Sequence, residues 1–239
     1  MRKELATTPN TEAFEQALLA LDKRGAREAS WLLVVGEPGH GKSTWLRRHA
    51  ALEGDVYLRA KGTTTSASLL EELAEQLGLA PDRRRQRNQA MVVERLAISR
   101  RGLLVDEIEH LLDKPDALET LRDISDLVEV PVIIVLGQPK REPRLKRFPQ
   151  IYSRICQVVR FRPLTEPETA DVVRTLCEVP YEPPVIAEMH RQTAGHLRFL
   201  MDAIAAVEAI GRQTGEAVRL ADVRGTSLIG GRALPTAVI

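Results

Sequence analysis

Residues 36–43 read Gly-Glu-Pro-Gly-His-Gly-Lys-Ser, a complete G-x-x-x-x-G-K-[ST] pattern. A loop of this kind holds phosphate because backbone N–H groups turn inward where no side chain intervenes, and Gly39 and Gly41 give that clearance. The pattern predicts that Gly36, Glu37, Pro38, Gly39, His40, Gly41, Lys42, Ser43 and Thr44 surround the phosphates of a nucleotide. Lys42 is expected to reach the β- and γ-phosphates, and the Ser43 hydroxyl to ligate Mg2+. Further along, Leu103-Leu104-Val105-Asp106-Glu107 is an apolar run ending in two carboxylates. Asp106 suits a second ligand for the magnesium, and Glu107 suits a general base that deprotonates the attacking water. A glycine-rich turn and a solvated Asp-Glu cap are the ordinary readings of each segment alone. Their occurrence in this order, each behind an apolar run, implies a nucleoside triphosphatase.

These groups need a sheet to carry them. Trp31 to Val35 is an apolar run directly before the glycine loop, and Thr44 to Leu52 reads as the helix after it, which aims its N-terminal dipole at the same anion. Residues 55–60, 103–107, 132–136 and 157–161 read as further strands. Helices are expected at 11–24, 66–79, 89–98 and about 115–128, from apolar residues at helical spacing such as Leu69, Leu70, Leu73 and Leu77. Alternating strands and helices predict an α/β fold with a five-stranded parallel sheet. From Thr165 the pattern is helical throughout, interrupted by Pro180, Pro183 and Pro184. The expected organisation is an α/β domain over 1–164, a small helical domain over 165–223 and a mobile tail over 224–239.

Composition narrows the class. The 239 residues carry 34 Lys and Arg against 33 Asp and Glu, for a net charge of +1. That near-balance hides local asymmetry, with acidic residues crowding 106–129 and basic ones crowding 83–87 and 140–162. Cys156 and Cys177 have neither disulfide-framework nor zinc-site spacing. The first residues lack an apolar signal core and no run approaches membrane-spanning length, so a cytoplasmic enzyme without a membrane partner is expected.

The order of motifs resembles the AAA+ class of P-loop ATPases over nearly the whole chain. The resemblance implies that Gln138, after the strand at 132–136, contacts the γ-phosphate or the attacking water. It implies that Arg154, in Ser153-Arg154 before the fifth strand, is an arginine finger acting on a neighbouring subunit's nucleotide, with Arg144 and Arg147 as competitors. It also implies that Arg198, in Gly195-His196-Leu197-Arg198, reads the bound nucleotide from a helical lid. A site completed in trans requires head-to-tail homo-oligomers, closed as a ring or open as a filament.

Within that class, Asp106-Glu107-Ile108-Glu109-His110-Leu111, the turn at 136–139 and the box at 194–198 are similar to ATPases that regulate DNA transposition. That likeness implies an ATP-dependent oligomer on duplex DNA that delivers target sites to a transposase. Arg83, Arg84, Arg85 and Arg87, with Lys61 and Thr63 after the second strand, are the candidate contacts to DNA phosphates, largely independent of sequence. Aromatic residues make up only 4% of the chain, which favours duplex over single-strand stacking. The alternatives are another DNA-dependent AAA+ ATPase of initiator type, or a signalling or secretion ATPase acting on protein partners.

Overall fold

The apolar runs become five strands in the computed structural model, which describes residues 1–21, 23–232 and 234. They are β1 (Trp31–Val35), β2 (Val56–Arg59), β3 (Leu103–Asp106), β4 (Val132–Leu136) and β5 (Ile155–Arg160). All pair in parallel, in the order β2-β3-β4-β1-β5. Every residue of β1, β3 and β4 is buried, so these strands are apolar without interruption, as a parallel sheet covered on both faces demands. The outer strand β5 begins at Ile155, two residues before the sequence pattern suggested, and its pairing with β1 is irregular between Trp31 and Leu32.

Helices α1 (Pro9–Leu21), α2 (Lys42–Glu53), α3 (Ser66–Gln76), α4 (Arg85–Ser99) and α5 (Pro115–Val128) cover the sheet. Alternation along each strand divides the core in two. Trp31, Leu33, Val35, Val132, Ile134 and Leu136 face α3, α4 and α5. Leu32, Val34, Ile133 and Val135 face Phe14 and Leu21 of α1 and Leu46 and Ala50 of α2. Helix α4 starts four residues before the expected Gln89, because Arg and Gln are good helix formers and continue the helix backward. Arg85 and Arg87 therefore lie within its first turn. Two four-residue helices, α6 (Glu142–Leu145) and α7 (Pro149–Tyr152), link β4 to β5.

The chain forms two compact units, one of residues 13–38 and 42–161 and one of residues 1–12, 39–41 and 162 onward. The second unit holds α8 (Glu166–Leu176), α9 (Pro183–Thr193), α10 (Leu197–Thr214) and α11 (Leu220–Val223). Pro183 and Pro184 open α9, where a missing N–H costs nothing. At the start of α8, Glu168 accepts the Thr165 N–H at 2.8 Å and forks to Arg162 at 2.8 and 2.6 Å, which holds its carboxyl down at about 2. Gly195 has φ +73°, and a β-carbon there would lie 2.0 Å from the Leu164 carbonyl, so no other residue fits between α9 and α10. Val172, Val173, Met189, Leu200 and Ile204 form this unit's core together with Leu228, from the segment expected to be a mobile tail. The Leu228 N–H donates to Gln192 Oε1 at 2.8 Å, while residues 233 and 235–239 of that segment lie outside the described residues.

A buried polar contact ties β1 to α5. The Trp31 indole N–H donates to Ser125 Oγ at 2.9 Å, with Trp31 0% and Ser125 1% exposed. Replacing Ser125 by alanine strands that donor, at a cost of about 1–3 kcal/mol in urea unfolding followed by tryptophan fluorescence. An unchanged midpoint and slope would show that the indole finds another acceptor.

Candidate nucleotide site

The glycine loop leaves β1 at Gly36, whose N–H donates to the Leu136 carbonyl at 3.3 Å. A β-carbon at Gly36 would meet the Phe161 carbonyl oxygen at 2.6 Å, so the loop can leave the sheet here only without a side chain. Gly39 and Gly41 take φ values of +96° and +86°, which turn the loop around into α2. The Lys42 ammonium is buried and donates to the carbonyls of Gly36 at 2.6 Å and Glu37 at 2.8 Å, which sets it across the loop. Ser43 lies half-buried in the first turn of α2, and Glu37, Pro38 and Thr44 are exposed.

Residues 39–41 belong to the helical unit, where they meet the start of α10. The Arg198 N–H donates to the Gly39 carbonyl at 2.9 Å. The His40 and His196 rings stack with centroids 4.6 Å apart and planes at 27°. A β-carbon on Gly41 would lie 2.7 Å from Leu197 Cδ2. The loop tip and the Gly195–Arg198 box, far apart in sequence, therefore form one packed contact, and Arg198 keeps an exposed side chain beside the loop.

The second motif sits where β3 ends. Asp106 is 2% exposed and accepts the Glu107 N–H at 3.0 Å and the Tyr57 hydroxyl at 2.6 Å. Burial, then the bond to Asp106, pushes the Tyr57 hydroxyl up, so it stays protonated and remains a donor. Tyr57 also packs beneath Arg47 of α2, whose guanidinium is 5.8 Å from the ring centroid, and so links the helix behind the glycine loop to Asp106. Glu107 takes the left-handed conformation, φ +55°, an uncommon one for a residue with a β-carbon. That turn brings its carboxylate to 2.6 Å from the Arg59 guanidinium and 3.4 Å from His110 Nε2. The Arg59 contact, stronger than the opposing burial, holds the Glu107 carboxyl below its ordinary value. Parallel pairing of Arg59 with Asp106 explains the geometry, since β2 delivers alternate residues Tyr57 and Arg59 to the end of β3.

Tyr57 and Arg59 lack a strong signal of their own in the sequence, and Glu109 and His110 stand out there only as members of the 106–111 box, without a role. Tyr57 and Arg59 carry the two-residue spacing of one strand face, but a single sequence does not say that β2 lies beside β3. Gln138 is exposed on the turn after β4, with its carbonyl accepting the Arg141 N–H at 2.8 Å. The finger candidates differ sharply. Arg154 forks onto Asp126 at 2.7 and 2.6 Å and also donates to the Gln150 carbonyl. Arg144 pairs with Asp113, whereas Arg147 is exposed with no ion pair or hydrogen-bonded side chain among the described residues.

The proposed phosphate contacts form a second cluster at the same sheet edge. Buried Asn88 clasps residue 82 from both sides, accepting its N–H at 2.6 Å and donating to its carbonyl at 2.9 Å. This pins the turn that presents Arg83, Arg84, Arg85 and Arg87, all exposed. Arg85 donates to Ser66 Oγ at 3.1 Å, which joins that turn to the loop carrying exposed Lys61 and Thr63. That loop is itself braced by Lys114, which donates to the Gly62 and Thr64 carbonyls. Helix α4 has no acidic residue in its first turn, and one carboxylate precedes it: Asp82 accepts the Arg84 N–H at 2.8 Å and pairs with Arg87 at 3.4 Å, which leaves the four arginines in excess there.

Removing the guanidinium in Arg59→Ala should raise the pH at which Glu107 titrates, read from its side-chain carboxyl carbon shift by NMR. The sign follows from the pairing, because the charged carboxylate loses its main stabilising partner. An unshifted titration would mean that the ion pair does not form in solution.

The AAA domain family profile matches residues 25–145 of the 239. No curated protein matches the sequence. Solved structures of similar fold include the ORC2 protein of Aeropyrum pernix in ADPNP–ADP complexes, with a TM-score of 0.73 and 16% identity over 98% of this chain and 71% of that one. The Cdc6p protein of Pyrobaculum aerophilum gives 0.70 and 20% over 98% of this chain and 73% of that one. The ORC1 protein of Aeropyrum pernix in complex with DNA gives 0.64 and 22% over 93% and 65%. At these identities the likeness is one of fold, and the fold is that of AAA+ P-loop ATPases with a five-stranded parallel sheet. Among the described residues no helix is long and apolar enough to cross a membrane. With a family match over half its length, carrying both the phosphate loop and the β3 carboxylates, the chain belongs to the AAA domain family.

Proposed function

We propose that this protein is an ATP-hydrolysing, oligomerising AAA+ ATPase that binds duplex DNA through its ATPase domain, in the manner of initiator proteins. The observation that carries the DNA-binding part is the pinned arginine turn at 83–87, joined through Ser66 to the loop at 61–64 on the edge where Asp106 ends β3. Such a surface suits phosphates held without base reading. The similar fold of an initiator protein solved in complex with DNA supports the same reading.

In this reading Lys42 neutralises the β- and γ-phosphates of ATP, and the glycine loop donates backbone N–H groups to them. The Ser43 hydroxyl and the buried Asp106 carboxylate are hard oxygen ligands that fit magnesium, which when bound offsets charge on the phosphates. Glu107 accepts the proton of the attacking water, Gln138 orients that water, and Arg198 reads the nucleotide beside the loop tip. Arg154 supplies the finger from the next subunit once its fork to Asp126 opens. A second reading, regulation of transposition with target delivery to a transposase, rests on the box 106–111, in which His110 stands 3.4 Å from the Glu107 carboxylate. It differs in partner and not in the chemistry of the site.

ATPase rate and duplex binding, measured with and without DNA, test this directly. Duplex DNA should bind in the presence of ATP and raise turnover, with affinity falling by a log–log salt slope of about −0.9 per phosphate contact. Replacing Arg83, Arg84, Arg85 and Arg87 together by alanine should flatten the slope and remove the stimulation while ATP binding survives. If DNA neither binds nor changes the rate, the protein-directed switch replaces the DNA reading.

The trans role of the finger has its own test. Mixing Arg154→Ala with Lys42→Ala protein should restore turnover, because one mixed interface holds an intact lysine and an intact arginine. Rescue by Arg147→Ala in place of Arg154→Ala would assign the finger to the exposed Arg147. No rescue with either, nor with Arg144→Ala, would place the site within one subunit.

A further inference from the structure

We infer that Glu109 is a positioning residue that locks the Gly137–Gln138 turn to the Asp106–Glu107 segment, so that the base and Gln138 act as one rigid unit. The inference rests on the hydrolytic reading above and adds a residue to it. Strands β3 and β4 are parallel neighbours, with Leu103, Leu104 and Val105 opposite Val132, Ile133 and Ile134. Their carboxyl ends therefore emerge side by side, yet the strands themselves offer no bond between residues 107 and 138.

Glu109 fills that gap. It lies in the 3-10 turn Ile108–His110 directly after Glu107, and the turn closes by the His110 N–H donating to the Glu107 carbonyl at 3.0 Å. Its side chain is 2% exposed, an unusual location for a carboxylate unless its oxygens are used. Oε2 accepts the Gly137 N–H at 3.1 Å. Oε1 would lie 3.0 Å from a β-carbon at residue 137, so the carboxylate sits against the bare glycine backbone. The Glu109 carbonyl in turn accepts from Arg141 Nη1 at 3.3 Å, and the Arg141 N–H donates to the Gln138 carbonyl at 2.8 Å. Gln138 is thus bracketed on both sides by bonds that return to Glu109. Its peptide has one arrangement relative to Glu107, and the side chain that orients water inherits that arrangement.

Positioning errors of about 1 Å can cost on the order of 100-fold in rate. Glu109→Ala should lower kcat for ATP by roughly 10- to 100-fold while its KM changes less than about twofold, since no ATP contact is removed. Glu109→Gln keeps an amide oxygen for the Gly137 N–H and should recover most of the turnover. Amide hydrogen exchange at Gly137 should be slow in the wild type and the Gln variant and fast in the Ala variant. Should Glu109→Ala not fold, Arg141→Ala opens the other side of the bracket and should lower kcat alone. Wild-type turnover in Glu109→Ala, or a Gln variant as impaired as the Ala variant, overturns the inference. A wild type that does not hydrolyse ATP with or without DNA overturns the hydrolytic reading instead, and Gly137 exchange then decides whether Glu109 holds the turn.

Discussion

The parallel pairing of β2, β3 and β4 is the constraint on which the site depends, because it ends three strands at one edge with their chemistry adjacent. Arg59 stands beside Asp106 in register, and the turn after β4 emerges next to the turn after β3. Each carboxylate then meets a partner from a neighbouring strand: Asp106 the Tyr57 hydroxyl, Glu107 the Arg59 guanidinium, Glu109 the Gly137 N–H. Open α/β sheets place ligands outside the carboxyl ends of their strands for this reason. Here the same edge also carries the loop at 61–64 and, through Ser66, the arginine turn. The proposed ATP chemistry and the proposed DNA surface thus share one set of strand ends, a physical route for coupling between them.

Charge is arranged with similar economy. The net charge of +1 provides no general attraction for a polyanion, so binding would have to come from a local surface. Much of the remaining basic content is already committed to pairs, such as Arg160 forked onto Glu142 at 2.8 and 3.0 Å and Arg162 onto Glu168. In the 83–87 turn Asn88 spends its buried amide on the backbone, and of the four exposed arginines Arg87 pairs with Asp82 at 3.4 Å while Arg85 donates to Ser66. Arg154 is the opposite case, an arginine expected to act between subunits that Asp126 retains within its own.

The sheet and the order of its strands along the chain were readable, since β1, β3 and β4 are uninterrupted apolar runs and α5 has a strongly one-sided apolar face. Boundaries were read less well where local preference runs through a change of role. Helix α4 began inside the arginine run, and β5 began at Ile155, which is only half-buried and carries a weaker apolar signal. The segment after Arg224 read as aperiodic because its buried residues, Leu228 and Ile229, are adjacent, and one adjacent pair has no period.

By itself the sequence determined the glycine loop between a strand and a helix, with its lysine and serine, and the Asp106–Glu107 pair at a strand end. These are contiguous residues whose chemistry follows from order along the backbone. Only the tertiary structure decided that Tyr57 and Arg59 serve those carboxylates, that His40 stacks on His196, that Asp126 holds Arg154, and that Glu109 brackets Gln138. Each of those contacts joins segments well separated along the chain, and their meeting depends on strand order, register and a helix start. Those are set by the summed packing within each unit, and no local spacing encodes them.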